Sequence, residues 1–150
     1  MPRAAVSFKF EGVDKLIKKL ERLPGATQRR VIRPAVSLAA TPIVSAAKRH
    51  LPGKGKNASG TLRKSIGKRV HTGKRTGTVT AFIGVRKGIV GTFNGRKRNP
   101  RLYAHLVEFG TVHSAPRPFL RPAMTSAGPQ AQAKLAARLR SGIEKLAVKN

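Results

Sequence analysis

The 150 residues contain no cysteine, so neither disulfides nor thiolate metal ligands are available. Tryptophan is also absent and aromatic residues make up 5% of the chain, which leaves aliphatic side chains to supply most of a core. Acids are scarce: five Asp and Glu stand against 32 Lys and Arg. Glu11, Asp14, Glu21, Glu108 and Glu144 form no Asp-x-Asp or Glu-x-x-Glu pair. Two carboxylates for general acid–base work therefore cannot be nominated on spacing. A Mg²⁺-dependent nuclease, which needs clustered carboxylates, is disfavoured for the same reason. The chain lacks a G-x-x-x-x-G-K-[ST] phosphate loop, a G-x-G-x-x-G after a strand and a G-x-S-x-G. His50, His71, His105 and His113 are dispersed; His105, His113 and Glu108 are the one conceivable metal set, and surface or interface histidines are the simpler expectation. Neither a catalytic site nor a metal nor a cofactor is expected. No segment reaches the apolar length of a membrane span and residues 1–7 lack a signal-peptide core. A soluble chain that stays in the cytoplasm where it is made is the expectation, with no membrane partner.

Positive charge is what the sequence has instead. The formal net charge is +27, so a compact monomer repels itself and calls for counterions or an anionic partner. Nucleic acid fits, because each neutralised phosphate releases a condensed counterion; an anionic membrane surface or an acidic protein satisfies the same electrostatics. The apolar fraction of 39% lies above the disordered range. It suits one domain over residues 1–150 with a modest core.

Periodicity outlines the elements. Residues 7–10 alternate as a short strand, and Val13, Leu16, Ile17, Leu20 and Leu23 follow at helical spacing up to Pro24-Gly25. A second helix runs from about Thr27 to His50, with Val31, Ala35, Leu38, Ala39, Ile43 and Ala46 or Ala47 as its buried stripe. Pro34 and Pro42 predict a kink or two short helices. Residues 52–60 read as a flexible basic loop. One turn over 61–65 leads into a strand over 66–71, and a turn over 73–77 leads into a strand over 78–85, which together form a β-hairpin. Residues 89–93 suggest a third strand, before a very basic tip at 94–101. Residues 102–109 read as a helix capped by Gly110. Residues 119–148 are helical in composition, interrupted at Gly128-Pro129, with Ala133, Leu135, Leu139, Ile143 and Leu146 marking a C-terminal helix over about 130–148.

Three groups of cations fall in or beside the predicted loops: Lys54, Lys56, Arg63, Lys64, Lys68 and Arg69; Lys74 and Arg75; and Arg96, Lys97, Arg98 and Arg101. These are the expected contacts for nucleic acid or an acidic partner. No recognition-helix motif, zinc finger or aromatic platform accompanies them, so contact with DNA would position the protein without reading sequence.

Tyr103, Ala104, Glu108, Phe109, Gly110 and Thr111, followed by Arg117, Pro118, Phe119, Arg121, Pro122 and Ala123, form a two-part motif. It resembles that of the tail-completion or head–tail joining (neck) proteins of long-tailed double-stranded DNA phages, the gene-product-ten-like family. Residues 10–24 and 59–66 (SGTLRKSI) resemble two further stretches of that family in the same order. The basic stretch 54–59 and the insertion over 89–101 depart from its pattern.

The resemblance implies a structural virion protein. Its expected partners are itself in a ring, other neck or tail proteins (head-closure, tail-terminator or tail-tube) and the packaged double-stranded DNA. The expected fold is α+β, a small, mainly antiparallel sheet with helices packed on one face. Tyr103, Glu108, Phe109, Gly110, Arg117, Phe119 and Arg121 are expected to maintain the fold or to meet a neighbouring subunit. A bridge from Glu108 to Arg117 or Arg121 would pin the extended segment, while the Ala-rich helix and the segment near Phe119 are the expected interface elements. A sequence-independent nucleic-acid-binding protein acting outside the virion is the alternative.

Overall fold

The structure, a computed structural model, describes Lys18 and residues 25–51, 54–55, 58–73 and 78–147, without the side chains of residues 54, 55, 58 and 147. The strand expected over 7–10 lies outside the described residues, as does all of the helix expected over 13–23 except Lys18, which is helical. The elements in chain order are α1 (Gly25–Arg49), β1 (Lys54–Gly55), β2 (Ala58–Ser59), α2 (Thr61–Ser65), β3 (Ile66–Thr72), β4 (Val79–Val85), β5 (Gly91–Phe93), β6 (Arg96–Arg98), α3 (Pro100–Phe109) and α4 (Leu120–Ala147).

The fold is α+β. Among the described residues the strands pair as three antiparallel two-stranded ladders, β1–β2, β3–β4 and β5–β6. The longest runs from Ile66 opposite Val85 to Thr72 opposite Val79, in the register the alternating sequence requires. Ile66, Val70, Ala81, Ile83 and Val85 turn toward α1, whereas Arg69, His71, Thr80 and Phe82 are exposed on the other face. One reading changes here. The stretch 52–60 is in part a small hairpin, with Lys54 opposite Ser59 and Gly55 opposite Ala58. The third strand expected over 89–93 is β5, and it pairs with β6.

The two long helices carry the core. Along α1, Val31, Ala35, Ala39, Ile43 and Ala47 recur every fourth residue and are buried; along α4, Ala123, Ala127, Ala131, Leu135 and Leu139 do the same. Two such ridges, built mostly from alanine, let the helices approach closely. Val31, Ala35 and Ala39 cluster with Leu135 and Leu139, whereas Ile43, Ala46 and Ala47 cluster with Phe119, Ala123, Ala127 and Ala131, so the helices run antiparallel. Leu51, Leu62 and Ile66 complete the second cluster. Leu38 and Ala133, expected to be buried, are exposed because they lie off these ridges. The Ala-rich face of α1 is thereby covered within the chain and is not left for a neighbour.

Both long helices are continuous, against the breaks expected at Pro34, Pro42 and Gly128-Pro129. A proline removes one helical donor and crowds the carbonyl one turn back. Here Pro34 and Pro129 are exposed, as are Arg30 and Thr125, whose carbonyls lose a donor, so water can replace it. Pro42 is buried and its ring adds apolar surface to the core. Packing along the full length of the pair outweighs the local cost, since helices in proteins owe most of their stability to such faces. We expect Ala131→Leu, which inserts a side chain into a position with 0% exposure, to destabilise the fold by about 1–3 kcal/mol. Leu38→Ser, at 43% exposure, should change it by less than about 0.5 kcal/mol; chemical denaturation of the two variants checks both values.

Candidate functional site

The two-part motif folds into one junction. Asn99 opens α3, its side chain accepting from the Arg101 N–H at 3.1 Å, with Pro100 in the first turn. Gly110 closes α3, its N–H reaching the Leu106 carbonyl at 2.8 Å. The backbone at Gly110 has φ +78° and ψ −178°, a region open essentially to glycine alone. A Cβ there would also lie 2.8 Å from the Pro116 nitrogen and 2.9 Å from the Ser114 carbonyl. The chain then doubles back through a Thr111–Ser114 bridge, and the Arg117 N–H donates to the Val107 carbonyl at 2.8 Å.

Glu108 closes the junction. It is 4% exposed, and its carboxylate accepts from the backbone N–H groups of Phe119 (2.8 Å), Leu120 (3.0 Å) and Arg121 (3.1 Å). These are orphan donors at the start of α4, where the helix dipole also favours negative charge. The expected bridge to Arg117 or Arg121 is replaced by this cap. The segment is pinned as anticipated, but by N–H groups that have no other partner in the helix. Arg121 instead lies over the Phe109 ring, 4.9 Å from its centroid. Phe119 is buried at 1% exposure and Tyr103 is half-buried, so these two serve the core; Phe109, Arg117 and Arg121 stay exposed. In the segment near Phe119, Pro116 and Pro118 are exposed whereas the Phe119 ring is buried. The set His105, Glu108 and His113 is not assembled, because both imidazoles are exposed while the carboxylate is buried and engaged. Among the described residues no group of three His, Asp or Glu could hold a metal ion.

The cations fall into two kinds. Arg63 and Lys64 project from α2, and Arg96, Lys97 and Arg98 from β6, all exposed along with Arg101 in the first turn of α3. Gly91 of β5 packs directly on Thr61 of α2, which brings the two elements together. Arg86 joins them to the end of β4: its N–H donates to the Ser65 carbonyl at 2.9 Å and its guanidinium to the Lys64 carbonyl at 3.2 Å. Arg86 and Lys87 therefore extend the same surface, although they fall outside the three cation groups nominated from sequence; a dibasic pair directly after a strand was the available signal. Burial pushes the Tyr103 phenol above its ordinary value and Arg98 draws it partway back, which sets Arg98 beside α3. Lys54 lies on β1, and Lys56, Lys74 and Arg75 lie outside the described residues.

Lys68 is of the second kind. It points inward from β3, donating to the Ser37 carbonyl and, at 2.7 Å, to the Thr41 hydroxyl. That is the turn of α1 where Pro42 removes a donor, so this ammonium is a structural donor and not part of the outer basic surface. Burial lowers its pKa from the ordinary 10.5.

The tip at 94–101 is also more ordered than its composition implies. Asn94 (φ 50°) and Gly95 (φ 72°) both have positive φ, as a two-residue type I′ hairpin turn requires. Phe93 pairs with Arg96 across it, and Gly91 with Arg98. The Asn-Gly dipeptide was the available signal for this hairpin.

With this geometry in view, residues 14–110 match the family described as “Bacteriophage HK97-gp10, putative tail-component”. The match covers well over half of the chain, and the protein belongs to that family of phage tail components, which are parts of the virion. The chain has no match among curated proteins or among solved structures. Among the described residues no helix is long and apolar enough to cross a membrane.

Two outcomes are expected. Glu108→Ala strips three N–H groups of a charged acceptor and should destabilise by about 2–4 kcal/mol, and Gly110→Ala by about 1–3 kcal/mol; thermal unfolding of each measures this. For Lys68, the unfolded chain holds its proton to higher pH than the folded one, so stability should rise as pH climbs through the lowered pKa toward 10.5. The check is a comparison: Lys68→Met should show a smaller rise in unfolding free energy than the parent protein.

Proposed function

We propose that the protein is a neck or tail-completion subunit, which joins head and tail around the channel through which the genome passes. It acts by assembling and not by catalysis. The whole chain serves as one domain, and copies of it form a ring whose interfaces are heterologous, one surface of each subunit meeting a different surface of the next. The basic surface formed by α2, the end of β4 and β6 faces the packaged double-stranded DNA.

The observation that carries the DNA-facing part is the gathering of Arg63, Lys64, Arg86, Lys87, Arg96, Lys97 and Arg98 on adjoining elements. The described acids do not relieve them: Glu108 is buried and Glu144 lies near the far end of α4. Backbone phosphates meet such a surface without any reading of bases. The tail family supplies the setting, since a tail must be closed and joined to a DNA-filled head.

The test is to neutralise the hairpin as Arg96→Gln, Lys97→Gln and Arg98→Gln together. All three side chains are exposed, so the fold should be kept. The slope of log affinity for double-stranded DNA against log salt should fall by about 0.9 for each phosphate that the variant no longer neutralises. Particles carrying the variant should show fewer joined head–tail assemblies under the electron microscope. Full joining by this variant would overturn the channel-facing role. Steep salt dependence in a monomer absent from particles would favour a nucleic-acid-binding protein acting outside the virion.

A further inference from the structure

The outer face of α3 is apolar and, apart from the Arg121 guanidinium over the Phe109 ring, nothing among the described residues covers it. Leu102, Leu106 and Phe109 are spaced as one helical stripe and are 73%, 43% and 51% exposed, and Val112 just beyond is 98% exposed. The opposite face explains why the stripe exists at all. Tyr103, Ala104 and Val107 pack on the core and Glu108 caps α4, so α3 is fully anchored without its outer side chains. Among the described residues fold maintenance therefore gives no reason for leucine and phenylalanine there, and contiguous exposed apolar side chains mark an interaction surface.

The rim of the stripe selects the partner. Arg101 and His105 are exposed on the helix itself, Arg117 is held beside it through its backbone bond to Val107, and Arg121 lies over the Phe109 ring. The one described acid nearby, Glu108, has its carboxylate committed inside. Glu144 lies at the opposite end of α4, roughly 35 Å away at 1.5 Å per residue. A second copy of a chain with 32 cations and five acids would bring like charges against this rim. Nucleic acid would match the rim but leave the apolar stripe without a partner. We infer that the α3 face docks a different protein, one presenting an apolar ridge flanked by Asp or Glu. Its apolar side chains cover Leu102, Leu106 and Phe109, while its carboxylates reach Arg101, Arg117 and Arg121. This goes beyond the neck assignment and needs neither the ring nor the DNA contact.

The first probe is a synthetic helical peptide with a leucine stripe flanked by glutamates, compared with a scrambled peptide of equal composition, by fluorescence anisotropy on the full chain. The striped peptide should bind at least about tenfold more tightly than the scrambled one, a difference of about 1.4 kcal/mol. Leu106→Ser with Phe109→Ser, both at exposed positions, should remove that preference while leaving the circular dichroism melt in place. Equal binding of the two peptides would reduce the face to general electrostatics and overturn the inference. The second probe is a photo-cross-linking residue at position 106 in assembled particles. A cross-link to an Asp- or Glu-rich peptide of another protein, identified by mass spectrometry, is the expected result. A cross-link to a second copy of this chain, to DNA, or to nothing would refute it. The hairpin cations tested above are untouched in both probes, so failure of DNA binding and failure of this docking are read separately.

Discussion

Three backbone N–H groups on one buried carboxylate hold the C-terminal half of the molecule in place. Glu108 sits on α3, and Phe119, Leu120 and Arg121 open α4. These bonds fix where α4 starts and how it points, and that alignment sets the alanine ridges of α1 and α4 against each other. A buried charge is tolerable only when fully satisfied, and the first turn of a helix offers unpaired donors together with a favourable dipole. In a chain of net charge +27 an acid surrounded by arginines would be expected to pair with one of them. Arg121 instead stacks on Phe109, and its backbone, not its guanidinium, meets the carboxylate. The family match ends at Gly110, yet the last acid inside it depends on Phe119 to Arg121 beyond it. The two parts of the motif are thus one structural unit.

The charge of the chain is sorted by depth. Lys68 is the cation that turns inward to make hydrogen bonds to α1, where it donates beside Pro42. Arg63, Lys64, Arg86, Lys87, Arg96, Lys97, Arg98, Arg101, Arg117 and Arg121 remain on the surface, where a backbone carbonyl can hold a guanidinium without an acid. Arg86 is one example, tied to the Ser65 and Lys64 carbonyls. Such framing keeps positive charge oriented without neutralising it, which suits contact with an external polyanion.

Much of the fold was legible where local chemistry and tertiary packing agree. The alternation of 78–85, the turn of helix over 61–65 and Gly110 at a helix end all appear at their expected places, because each is decided within a few residues. Three things were not legible. The continuity of α1 and α4 through their prolines depends on a helix partner distant in sequence, which local propensity cannot weigh. The burial of Ala131 in place of Ala133 depends on which ridge faces α1. The partner of Glu108 was mistaken because residue types advertise charged side chains and say nothing of backbone donors. The hairpin at Asn94-Gly95 was readable, but its basic composition hid its turn chemistry. The motif residues themselves are legible in the sequence; their division into core members (Phe119, Tyr103), junction members (Glu108, Gly110) and exposed members (Phe109, Arg117, Arg121) is set by the tertiary packing.

The alanine ridges bear on how the chain comes to fold. Ala35 and Leu135 share one cluster but stand a hundred residues apart in sequence, so the main helical pairing closes a very long loop. Such non-local pairing is slow to form, and during synthesis α1 leaves the ribosome well before α4 exists. A leucine-rich face waiting that long would invite aggregation. A face built largely from alanine exposes little apolar surface while it is alone, and gains its tight packing only when the second ridge arrives.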